Sequence, residues 1–253
     1  MCMPASSSAP WCLAGLNGAL RKPAVPQYFV SEQEVVKTWP GQWVIAYKSV
    51  TAPSNVPTMI AALLPKCGVG NSMAMLIPSP GAEASYFIWA PLLLANLNSM
   101  AFDFMLRQKV QGQNLNWFIV EQACVVAPER FELSIGPIKI ADFIREQVLH
   151  LSYTDHDLAP FARDLGHLDG SGQVKPPFIW DAEDRRRRLA ALDGLFMHLY
   201  GLDDDDAAHV LDSFPIVRAQ DIAAFGRFRG RDEVLAQLRA IRGGRLALTP
   251  DLN

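Results

Sequence analysis

The residues best suited to chemistry lie in one polar stretch: Arg107, Gln108 and Lys109, then Gln111, Gln113, Asn114 and Asn116. A Gln or Asn amide carries a donor and an acceptor side by side, the pattern that pairs with the N6 and N7 edge of adenine. Arg and Lys suit guanine or phosphate oxygens. The same residue types also serve structure, as cations at a helix C-terminus and amides in a turn. Both readings stand on chemistry alone.

Enzymatic constellations are missing from the sequence. A methyl-transfer site of this chemistry needs a Gly-rich turn leading from a strand into a helix, and a polar-Pro-Pro-aromatic loop that holds an extruded base. Gly68-Val69-Gly70 lies between short β segments with no helix to follow it, and Lys175 stands before Pro176-Pro177-Phe178 where an acid or amide is required. We therefore expect a plain turn and a plain loop. No serine sits in a nucleophile elbow. Asp155-His156-Asp157 reads as an aspartate-capped helix start, and the four aspartates from Asp203 to Asp206 as carboxylates at the positive end of a helix dipole. Arg185 to Arg188 is the densest basic run, yet four consecutive helical residues point around most of the circumference. Followed by Leu189, Leu192, Leu195, Phe196 and Leu199, it describes an amphipathic helix with a basic surface. Cys2, Cys12, Cys67 and Cys124 lack zinc-ligand spacing and read as thiols of a reducing cytoplasm. No catalytic residue, cofactor-binding residue or metal ligand is expected in this chain.

Hydrophobic periodicity sets the elements around the polar stretch. Ser31 with Glu34 forms a capping box for a short helix through Lys37. Residues 42–50, 58–64 and 72–77 read as strands, the first two paired across the turn Thr51 to Asn55. Residues 84–110 fall on helical spacing as one long helix that Pro91 kinks or restarts. The amide loop follows, and 117–126 reads as a further strand. Beyond a boundary near Pro128 the pattern is helical, at 138–151, 156–165, 182–200, 204–213, 218–225 and 230–242. The predicted class is α+β: a mixed-sheet domain with one long helix over 26–127, then a mainly helical C-terminal region over 128–253. Residues 1–25 read as a disordered or non-native leader. They have neither the basic start nor the apolar run of a signal peptide or a membrane span.

Composition narrows the partners. Of 253 residues, 50% are hydrophobic and only 19% charged, fewer charges than the roughly 25% of an ordinary soluble domain, so part of the surface is either uncharged or covered by something else. Residues 1–127 hold seven Lys/Arg against five Asp/Glu, and 128–253 hold sixteen against twenty-one. Neither half is a basic nucleic-acid module, so any DNA contact has to rest on a few local cations.

The stretch from Leu97-Asn98-Ser99 through Gln122 resembles the target-recognition region of large bacterial adenine-specific DNA methyltransferases, the type IIG-like and PglX-like group of restriction-modification and phage-defence systems. Upstream, Pro26 to Val30, Trp43 to Lys48 and Thr58 to Gly70 resemble that group's recognition strands. Downstream, Leu151 to Thr154, Asp157 to Ala162, Trp180-Asp181, His198 to Gly201 and Phe214 to Arg218 resemble its C-terminal tail. The sequence departs at Pro57-Thr58, where the group carries Arg-Thr, and at Phe228-Arg229-Gly230, where it carries Tyr-Arg-Thr. The resemblance covers about 26–242 and lacks the group's upstream catalytic domain. It implies a DNA specificity part that partners double-stranded DNA and a methyltransferase catalytic domain or another defence-system protein. S-adenosylmethionine is then expected only for the absent catalytic domain. The implied DNA contacts are Lys48, Asn55, Thr58, Arg107, Gln108, Lys109, Gln111, Gln113, Asn114 and Asn116. The rival expectation is a protein-interaction module that docks on a defence-system partner without binding DNA. Either way the expected location is cytoplasmic, with no membrane.

Overall fold

The computed structural model describes residues 30–39 and 41–248, so the expected leader lies outside the described residues. The first element is helix α1 (Glu32–Thr38), started by Ser31, whose hydroxyl accepts the Glu34 N–H at 3.4 Å. Three strands follow, β1 (Trp43–Lys48), β2 (Ala61–Pro65) and β3 (Met73–Leu76), in the order β2-β1-β3. Five consecutive buried residues, Trp43 to Tyr47, demand cover on both faces of β1 and explain its central place. Trp43, Ile45 and Tyr47 enter the main core, while Val44 and Ala46 pack with Leu64 and Trp39 on the other face.

The class is α+β as expected, but the sheet is antiparallel rather than mixed. Trp43 stands opposite Pro65 and Ile45 opposite Leu76. A parallel neighbour needs a long crossover, usually a helix, and no helix lies between these strands.

The expected long helix is two helices, α2 (Glu83–Leu97) and α3 (Met100–Arg107), bent by 67°. Pro91 lies buried inside α2 without ending it. The break comes at Asn98 and Ser99. Asn98 accepts the Ala61 N–H at 3.1 Å and donates to the Ala61 carbonyl at 3.0 Å, so its side chain pairs with the start of β2. Ser99 then caps α3 by accepting the Phe102 N–H at 3.3 Å.

The expected strand at 117–126 is also corrected. Residues Trp117–Glu121 form helix α4, in which only Ile119 is buried. Aromatic and branched residues favour a strand locally, but one inward side chain in five cannot supply the alternation of a sheet face.

Helix α5 (Pro128–Phe131) and a small hairpin of β4 (Ser134–Ile135) and β5 (Ile138–Lys139) come next. The C-terminal helices match the predicted spacing: α6 (Ile140–Ser152), α7 (Ala159–Asp164) after a short 3-10 turn, α8 (Ala182–Leu199), α9 (Asp204–Asp212), α10 (Pro215–Phe225) and α11 (Arg229–Arg242). Asp155 and Asp203 cap helical starts as expected, each accepting a backbone N–H. The core does not stop at Pro128. One cluster runs from Trp43 on β1 through Phe102, Ile144 and Phe196 to Ile241 on α11. The Trp43 indole also donates to Asp164 at 2.6 Å, fastening the sheet to α7. Among the described residues, no single helix is long and apolar enough to cross a membrane.

Helices α8 and α11 cross closely where Gly194 faces α11. A Cβ there would stand 2.5 Å from Gln237 Cβ and 3.1 Å from the Val234 carbonyl oxygen. Gly194→Val is therefore expected to lower stability by about 1–3 kcal/mol through overpacking, seen as a lower urea midpoint. Gly70→Ala, built into open space, should leave that midpoint unchanged.

Candidate functional site

The segment between α3 and α4 is held at both ends by apolar anchors. Val110 and Leu115 are buried, and Gln111, Gly112, Gln113 and Asn114 between them are exposed. Its backbone runs antiparallel to the chain leaving β1. Thr51 N–H donates to the Gln113 carbonyl at 2.9 Å, Leu115 N–H donates to the Ser49 carbonyl at 2.7 Å, and Val50 pairs with Asn114. The amides thus stand on backbone that is tied down rather than on a free loop.

This pairing brings Gln113 and Asn114 beside the chain that joins Lys48 to Asn55. Lys48 is exposed at the end of β1, next to Tyr47, whose phenol burial pushes up from its ordinary value. Asn55 is exposed in the turn that follows and donates to the Thr51 hydroxyl at 3.2 Å. Gln108, Lys109, Gln111, Gln113, Asn114 and Asn116 are all exposed. No Asp or Glu occurs between Val35 and Ala82 or between Phe104 and Val120, so the two segments that meet here carry cations and amides but no acid.

Two expected contacts are corrected. Arg107 is turned inward: it pairs with Asp103 at 2.5 Å, donates to the Val56 carbonyl at 3.3 Å, and lies 4.0 Å over the Phe214 ring. Thr58 is fully buried, and its N–H, like that of Met59, donates to Asp103 at 2.7 Å. Neither side chain is available to a phosphate or a base. Asp103 itself was not anticipated. The signal for it is an acid four residues before Arg107, which places both on one helix face.

The basic run on α8 is likewise spent on packing. Arg188 is buried, bonded to Asp184 at 2.7 Å and to Gln147 at 2.5 Å, while Arg186 pairs with Glu183 and Glu233. Arg185 stacks over Trp180 at 3.9 Å and donates to the Leu151 carbonyl at 2.6 Å. Only Arg187 of the four is exposed. The surface beyond the amide segment is apolar instead, with Trp117 55% and Phe118 57% exposed. Sequence reasoning missed this pair because a strand would have buried one of them.

Among the described residues, no group of three or more His, Cys, Asp or Glu is placed to hold a metal ion. Comparison with known protein families, curated proteins and solved structures finds no match to this chain.

Removing Arg107 strands the Asp103 charge in a nearly dry site. Arg107→Ala is expected to cost about 3–5 kcal/mol of stability, measured by urea unfolding. A loss under about 1 kcal/mol, the range of an exposed ion pair, would show that Arg107 is not needed where it lies.

Proposed function

We propose that this chain is the DNA-recognition part of an adenine-specific DNA methyltransferase of a restriction-modification or phage-defence system, acting with a catalytic domain that lies elsewhere. The observation that carries the reading is the exposed amide segment Gln111 to Asn114, whose backbone pairs with the chain that follows Lys48 and which has Lys109 exposed just before it. Gln111, Gln113, Asn114 and Asn116 read base edges, with adenine the best partner of an amide. Lys48 and Lys109 supply phosphate contacts that set position rather than sequence. Such an edge is small, so affinity for DNA is modest and its salt dependence is the shallow one that two phosphate contacts produce.

Trp117 and Phe118, at the end of the same segment, favour a second reading in which this face docks on another defence-system protein without touching DNA. The two readings separate in one experiment. Binding of the full chain to a short mixed-sequence duplex is followed by fluorescence anisotropy across a salt series. The Lys48→Ala/Lys109→Ala double variant should bind more weakly at every salt concentration, and the log-log slope should become shallower by about 1.8, two contacts at about 0.9 each. Both lysines are exposed, so the fold should survive the change. An unchanged affinity and slope removes the DNA reading and leaves the docking one.

A further inference from the structure

A cleft of about 420 Å³ opens between the sheet and the C-terminal helices, and the proposal for it is independent of DNA recognition. Its walls are mostly apolar: Ile60 just before β2, Leu63 of β2, Leu94 of α2, Val148 and Leu151 of α6, and Leu189 of α8. At about 30 Å³ for each water-sized group, it has room for on the order of a dozen non-hydrogen atoms. That is within the size range of small-molecule sites, which combine apolar walls with a few placed polar groups.

The polar groups are few because most are already used. Asn98 spends its amide on Ala61 and Leu94, and the Ser99 hydroxyl is taken by Asn96 and Phe102. Arg185 is held by Trp180 and Leu151. Asp193 is different. It sits in the apolar stripe of α8, enclosed by protein yet still reached from the cleft. Its Oδ1 accepts the Met100 N–H at 2.7 Å, the one hydrogen bond to this carboxyl among the described residues. Burial pushes the carboxyl up to about 7. The Met100 N–H works against that rise, and the nearby Asp103 charge adds to it. Asp155 and Asp157 line the same cleft, with Lys48 and Arg185 as its cations. Neither cation is among the groups that act on the Asp193 carboxyl, and a ligand that brings a positive charge to it would bind by satisfying it.

We propose that this cleft binds a small organic cation, an apolar body carrying one protonated amine that meets the Asp193 carboxylate. The amine donates to the second carboxylate oxygen and the apolar body covers the leucine and valine walls. No bond is made or broken.

The test uses the full chain at pH 8, where the carboxylate predominates, with 2-phenylethylamine as probe and 2-phenylethanol as its uncharged counterpart of equal size. Methyl NMR spectra report where each binds and how tightly. The amine should shift the Val148, Leu151 and Leu189 methyls and bind about tenfold or more tighter than the alcohol, the margin expected of a charged hydrogen bond. In Asp193→Asn, which keeps an acceptor for Met100, that preference should shrink to within about twofold. Equal affinity for the two compounds, a preference that survives Asp193→Asn, or no response of these methyls to either compound would overturn the proposal.

Discussion

The Asp103 carboxylate holds three donors at once: the Thr58 and Met59 backbone N–H groups and the Arg107 guanidinium. Through it the chain entering β2 is tied to α3, and the end of α3 sets where the amide segment begins. Arg107 adds the Val56 carbonyl and the Phe214 face at the start of α10, so one ion pair joins the sheet, α3 and the C-terminal helices. A buried pair of this kind adds little net stability over an apolar replacement, but removing one partner is costly. Its role here is better described as fixing one arrangement among several that the apolar core would tolerate.

That core gives the rest of the architecture. The sheet contributes Trp43, Ile45 and Tyr47 to the same cluster that receives Phe143 and Ile144 from α6 and Leu195 and Phe196 from α8. Residues before and after Pro128 are therefore packed as one body. The polar edge and the cleft are both by-products of that packing. The first forms where the chain leaving β1 pairs with the segment after α3, the second between β2, α2, α6 and α8. Surface charge is consistent with this economy, since several of the C-terminal arginines are paired with acids across helices, as Arg239 and Arg242 are with Asp204.

How much of this was readable in the sequence depended on whether local and global demands agreed. The capped helical starts at Ser31, Asp155 and Asp203, and the apolar strand from Trp43 to Tyr47, follow from side chains acting on their own neighbours. Asn98 is the opposite case. Nothing local says that its amide will pair with Ala61 and divide a helix, because Ala61 is thirty-seven residues away. The strand expected from Trp117 failed as well, since only Ile119 of Trp117–Glu121 is buried and the run forms a helix. For the candidate site, exposure decided the outcome. The amides lay on the surface as turn residues do, whereas Arg107 and Thr58 were claimed by Asp103, whose spacing to Arg107 was visible but whose bonds to Thr58 and Met59 were not. Asp193, an acid within an apolar helical stripe, was visible as a misfit in the pattern without any hint of what surrounds it.

The proposed function requires that one edge of this protein, and not its basic helix, meets DNA. Amide hydrogen exchange of the full chain, with and without a saturating short duplex at low salt, tests it most directly. The account predicts slowed exchange confined to residues 48–55 and 108–118, with α8 unaffected. Protection centred on residues 183–190, or no protection at all, would contradict it.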